Sequence, residues 1–176
     1  MKHVSGLGLM LLALVPLSTF GSGMRDNSLV KFKGAIGVDP ISNVVVSTTT
    51  PPTVTATANT VRGIAPAGQI WVIAGLDADV STDGHIRVHG RGLLLGGGNG
   101  IGTSAGLNVF ATLFCGAAAS PTASSSNAAG VTLDPDGNFT IDDVLSPAPT
   151  NPCDTPVLLI RNAAGSKAWF AAGIPD

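Results

Sequence analysis

The chain has 176 residues, a formal net charge of −2 and no glutamate, and charged residues make up only 11% of it. Acids and bases are scattered, which excludes the basic stripe of a nucleic-acid binder and the polybasic segment of a membrane-surface protein. Valine, threonine and glycine are abundant while helix-forming surface residues are scarce, so little helix is expected.

The N-terminus carries an export pattern. Lys2 and His3 precede an apolar run from Leu7 to Leu17, and Ser18, Thr19, Gly21 and Gly23 follow it, which predicts a signal peptide over residues 1–23. The run is too short to cross a bilayer, which takes about 20 apolar residues. No cysteine follows it to carry a lipid, and no second apolar span appears. The mature chain is therefore expected to be secreted or periplasmic, with no membrane span. About 150 residues remain, enough for one domain with its own core.

Residues 24–43 read as an N-terminal strand segment, in which Val30, Phe32, Ile36 and Val38 alternate with Lys31 and Lys33. Residues 44–60 are rich in Val, Thr, Ser and Ala with Pro51-Pro52 at their middle. They fit a linker or an irregular edge segment, because proline cannot donate to a strand ladder. Residues 61–176 read as the core domain, entered through a Gly/Pro-rich bend from Val61 to Gly68.

The best-resolved alternation lies between Gln69 and Leu95 and predicts one long hairpin turning at Thr82-Asp83-Gly84. A two-residue turn would mix the faces. A three-residue loop with Gly84 in the left-handed position pairs Val80 with Ile86, Asp79 with Arg87, Ala78 with Val88, Asp77 with His89 and Leu76 with Gly90. Apolar residues then meet on one face and acids meet bases on the other, so this register is expected. Continued outward, it sets Ile73 opposite Leu93 and Trp71 opposite Leu95. These four form an apolar patch on the outer face. Either another segment, Leu29–Val38 or the Thr/Pro-rich stretch, covers them, or they are a binding surface.

Gly96 to Gly106 is glycine-rich but lacks the Gly-Lys-Ser/Thr of a phosphate loop. Gly102-Thr103-Ser104-Ala105-Gly106 matches G-x-S-x-G, the pattern that presents a nucleophilic serine between a strand and a helix. Here a strand pattern follows instead, and no histidine lies downstream of Ser104, so a flexible loop is expected. Leu107–Cys115 is apolar on both faces, as a central strand would be. Ala117–Ala129, of low complexity, reads as a mobile loop. Val131–Val144 reads as a hairpin around Pro135-Asp136-Gly137, with Leu133 opposite Phe139 and Val131 opposite Ile141. Its Asp134, Asp136, Asn138 and Asp142 do not fit a calcium loop, since Gly137 is misplaced and the closing glutamate is missing. Val157–Ala172 reads as a third hairpin, with Leu158, Ile160, Ala168 and Phe170 inward and Leu159 and Trp169 on the other face.

Cys115 and Cys153 are the only cysteines, and in an exported chain they are expected to form a disulfide. Seven or eight short strands joined by turns predict an all-β fold, an antiparallel β-sandwich of immunoglobulin-like or Greek-key type.

Val61-Arg62-Gly63, Pro66, Gly68 and Trp71, then Arg91-Gly92-Leu93, then Leu113-Phe114-Cys115-Gly116 carry a resemblance. From Val61 to about Ile174 the chain resembles a group of small exported bacterial proteins of unknown function. The resemblance implies a secreted β domain and brings no activity, cofactor or catalytic residue.

Three functions are open at this point. The first is a non-catalytic binding, adhesion or envelope-associated module, with a protein or glycan as partner and no cofactor. The second is a serine hydrolase using Ser104 with His85 or His89 and an aspartate. The third is a metal-binding module using His85 and His89 with Asp77 or Asp79, although two strand residues four apart are separated by about 13 Å. The first is the expected one, and no enzyme activity is expected.

Overall fold

The computed structural model describes residues 27–176, so the expected signal peptide over residues 1–23 lies outside the described residues. Thirteen strands and no helix run through them. They are β1 (Ser28–Gly37), β2 (Ile41–Val46), β3 (Val54–Ala58), β4 (Trp71–Val72), β5 (Gly75–Ser81), β6 (His85–Arg91) and β7 (Leu94–Leu95). Then come β8 (Asn108–Cys115), β9 (Thr122–Ser125), β10 (Val131–Thr132), β11 (Phe139–Val144), β12 (Val157–Asn162) and β13 (Trp169–Pro175). Nine strands form one antiparallel sheet in the order β10-β8-β12-β13-β1-β5-β6-β11, with β9 also on β8. Its ends nearly meet: Ser146, just past β11, exchanges two backbone hydrogen bonds of 3.0 and 2.8 Å with Ser125 of β9. Two further pairs, β2-β3 and β4-β7, stand apart from it. The expected all-β, antiparallel architecture is thus present as one large, nearly closed sheet, with more strands than the sequence pattern resolves.

The central hairpin has the register that its side chains dictate. Val80 faces Ile86, Asp79 faces Arg87, Ala78 faces Val88, Asp77 faces His89 and Leu76 faces Gly90. Gly84 takes φ +87°, the left-handed conformation a bulged three-residue loop requires of its glycine. Inward-facing Leu76, Val80, Ile86 and Val88 are all buried. At Gly90 only a glycine fits, because the Phe139 ring of β11 fills the space a Cβ would take.

Beyond Gly75 the hairpin departs from the expectation. Pairing stops between Gly75–Arg91 and Val72–Leu94, then resumes with Trp71 opposite Leu95. Across this break the faces exchange. Trp71 turns inward at 4% exposure and Val72 turns out, while Leu93 is fully buried. The Trp71 ring stacks on Phe170 of β13 with centroids 4.2 Å apart, and its backbone N–H donates to Val38. Ile73 and Leu95, partly buried, pack against the same core. Of the four residues expected as a patch, Trp71 is thus covered by Phe170 of β13 and bonded to Val38, Leu93 is buried, and Ile73 and Leu95 are partly buried against the core.

Other local readings need correction. A bulge between Phe32 and Ala35 shifts the phase of β1, so Ile36 points to solvent at 62% exposure. The Ala/Ser-rich stretch expected to be a mobile loop contains β9, whose Ser124 and neighbouring Ser126 are buried. Small hydroxyl side chains suit this place: Ser126 Oγ accepts the Ala111 N–H at 3.0 Å, and Ser125 bonds Thr112. Leu159 and Trp169, expected opposite the core, are buried as well. Arg161 Cζ and Lys167 Nζ lie 5.0 and 5.2 Å from the ring centre of buried Phe110. Burial lowers the Arg161 pKa from its ordinary value. At the Val131–Val144 turn Asp134 bonds Asn138, but the expected pairs Leu133–Phe139 and Val131–Ile141 do not form: Val131 of β10 pairs with Val109 of β8, and Phe139 and Ile141 of β11 with Gly90 and Val88 of β6.

The Cys115–Cys153 disulfide is formed and ties the approach to β12 onto the end of β8. Arg62 braces the same corner, donating to the carbonyl oxygens of Gly116 at 2.9 Å and Thr155 at 2.8 Å.

Candidate functional site: a charged face across four strands

Because Phe32, Ala78, Val88 and Ile141 point into the core, their strand neighbours point out. In β1 these are Lys31 and Lys33, in β5 Asp77 and Asp79, in β6 Arg87 and His89, and in β11 Thr140 and Asp142. The pairing registers align them into two rows. Lys31 is opposite Asp79, Asp79 opposite Arg87, and Arg87 opposite Asp142. The second row runs Lys33, Asp77, His89, Thr140. The first row alternates in sign across four strands, which is the favourable arrangement for cross-strand neighbours.

Contacts follow the rows. Lys31 Nζ lies 3.7 Å from Asp79, which also accepts the Ser28 hydroxyl at 2.9 Å. Arg87 Nε donates to Asp142 at 3.1 Å, and His85 Nε2 reaches the other oxygen of Asp142 at 2.7 Å. Burial pushes the Asp142 carboxyl up, but hydrogen bonding and charge from Arg87 and then His85 outweigh it, and its pKa falls below 3.8. His89 Nδ1 shares a 3.3 Å hydrogen bond with Thr140. Lys33 Nζ lies 3.9 Å from Asp176 at the C-terminus. Between the rows, β1, β5 and β6 border an open cleft of about 490 Å³ edged by Lys31, Lys33, Asp77, Asp79, Arg87 and His89.

These pairs are solvent-exposed, and exposed ion pairs add little to stability. What they supply is a flat field of fixed donors and acceptors at strand spacing, about 4.8 Å apart across the sheet. Such a surface suits a polar, hydroxyl- or charge-bearing ligand.

The residues weighed for chemistry do not converge. Ser104 is buried at 5% exposure, and its hydroxyl accepts the Gly106 N–H at 3.4 Å. The chain after it enters strand β8 instead of a helix. His85 is engaged with Asp142 and His89 with Thr140. Asp77 and His89 are cross-strand neighbours, but among the described residues no three His, Cys, Asp or Glu side chains gather as a metal site. Asp134 accepts both the backbone and side-chain N–H groups of Asn138, at 2.8 and 3.0 Å, which lowers its pKa.

Lys31 and Asp142 were not foreseen as parts of this face, because they lie on strands distant in sequence from the central hairpin. The usable signal was spacing: Lys31/Lys33, Asp77/Asp79, Arg87/His89 and Thr140/Asp142 are all polar pairs two residues apart.

No protein family, no curated protein and no solved structure matches this chain. Of the resemblance drawn from the sequence, the β-rich, single-disulfide character is present in the structure.

Proposed function

We propose that this protein is an exported, non-catalytic β module that recognises a polar macromolecule, a glycan or a protein surface, through the outer face of β1, β5, β6 and β11. The observation that carries the proposal is the in-register row Lys31–Asp79–Arg87–Asp142 beside its open cleft. Export is supported by the N-terminal pattern and by the disulfide, a bond that persists in oxidising compartments. No helix among the described residues is long and apolar enough to cross a membrane. We read the nearly closed sheet as a sandwich, its β8-β12-β13 and β5-β6-β11 halves facing each other. One continuous core cluster drawing on both halves supports that reading.

The test is a glycan and protein array probed with the purified protein and with an Arg87→Ala/His89→Ala double variant. The proposal expects specific binders that the double variant loses while keeping its melting temperature. Binders retained in full by the variant would place recognition elsewhere. Labelling by a fluorophosphonate probe, abolished by Ser104→Ala, would replace the proposal with the hydrolase reading.

A further inference from the structure

The β2-β3 hairpin is the most unusual surface of the molecule. From Ile41 to Ala58 it contains no charged residue. Among the described residues its strands pair only with each other, and every residue of both is exposed. A lone two-stranded hairpin is marginal in water. Here its root is latched: Asn59 N–H donates to Pro40 and Asn59 Nδ2 to Asp39, both at 3.0 Å, while Trp169 Nε1 donates to the Asn59 carbonyl at 2.9 Å.

The register sorts its side chains into two unlike faces. Val44 faces Ala56 and Val46 faces Val54, while Asn43 faces Thr57 and Val45 faces Thr55 on the opposite side. A bulge at Ser42 puts Ile41 opposite Ala58, which restores Ile41 to the face of Val44 and Ala56. One face is thus wholly aliphatic from root to tip. At the root lies a groove of about 440 Å³ lined by Ile41, Ile70, Pro40 and Gly97 together with Asp39 and Gln69.

We infer that this arm is a self-association surface, on which the aliphatic faces of two copies stack about a two-fold axis. The occupant follows from the chemistry. Strands of six and five residues are shorter than the nine to eleven a membrane-crossing strand needs, and the arm carries no lysine or arginine to hold it at a lipid headgroup. A charged partner would find no complementary charge on it. A flat, uncharged, two-stranded apolar face of the same length is offered by a second copy, and an isologous contact closes after two. The Ser42 bulge and the Pro51-Pro52 tip blunt the strand edges, which leaves the face as the surface to be covered.

The area agrees. Ile41, Val44, Val46, Val54 and Ile70 are 41, 53, 59, 67 and 45% exposed. Together they offer about 450 Å² per copy, hence about 900 Å² in a pair before the alanines and threonines at the rim, against about 1,200 Å² for a small stable interface. A patch of this size lies within the roughly 300–600 Å² of the largest apolar patch on a typical monomer, which is often a functional surface. A reversible dimer is the expected form.

Sedimentation of the purified protein over a wide concentration range tests this. The wild type should pass reversibly from monomer to dimer, and Val46→Lys/Val54→Lys should weaken association at least tenfold without moving the melting temperature. Val144→Lys, equally exposed but on β11, should leave association unchanged. A cysteine at Ala56→Cys should cross-link two copies on mild oxidation, whereas Thr55→Cys on the opposite face should not. A wild type monomeric at every concentration, or a double-lysine variant that dimerises as tightly, would refute the inference. So would monomeric protein that floats with neutral phosphatidylcholine vesicles and loses that ability in the double variant, which would assign the arm to lipid.

Discussion

Two hairpins of similar length in this chain have opposite fates. β5-β6 is flanked by β1 and β11, alternates apolar and charged residues, and buries its apolar side completely. β2-β3 has a comparable ladder and a sorted apolar face, yet among the described residues no further strand pairs with it and every residue of both strands is exposed. The ladder does not distinguish them; the neighbours do. A hairpin gains its stability from what its apolar side is packed against, and one left uncovered offers that side to something else.

If this contrast is right, changes in the main sheet should cost stability and changes in the arm should not. The largest effect is expected from opening the disulfide. The two cysteines are 38 residues apart, and a loop of that size stabilises by about 4 kcal/mol. Cys115→Ser/Cys153→Ser should lower the unfolding free energy in urea by about that amount, with single arm substitutions such as Val44→Thr within about 0.5 kcal/mol of wild type.

Trp71→Ser comes next, at about 3 kcal/mol or more, since it removes a buried ring stacked on Phe170. Denaturant unfolding checks this directly, and an unchanged midpoint would mean that the ring is not part of the core. A smaller loss, about 1–2 kcal/mol, is expected for Gly84→Val, where a β-branched residue must adopt positive φ. Thr82→Ala, in the same turn, should cost clearly less.

The smallest effect concerns the charged face. Asp142 has a folded pKa below its unfolded value of 3.8, so its contribution is fully present above that value and is lost as pH falls through the folded pKa. Asp142→Asn should therefore cost a small amount of stability at neutral pH and flatten part of the acid limb below about pH 4, so that the variant and wild-type curves converge in acid.

How far the sequence carried differs by region for the same reason. The β5-β6 register was legible because two constraints, apolar pairing and charge pairing, selected one loop length. The central position of β8 was legible from apolar residues on both faces. The arm was not, since Val44-Val45-Val46 obscures the alternation and Pro51-Pro52 suggests a linker. β9 was missed because serine reads as loop until its hydroxyls meet Thr112 and Ala111. Ile36 was misplaced by a bulge, and Trp71 by a break in pairing that exchanged the two faces. The charged face was half visible: its central pairs lie within one hairpin, but Lys31 and Asp142 join it only through the order of strands in the sheet.

Amide hydrogen exchange on the monomeric protein, at a dilution below the association range, tests the contrast most directly. Paired amides of β5, β6, β8 and β12 should exchange only through global unfolding, whereas those of β2 and β3 should open locally and exchange at least a hundredfold faster. Equal protection in the two hairpins would contradict the account, because it would mean that the arm is stabilised by the body of the protein after all.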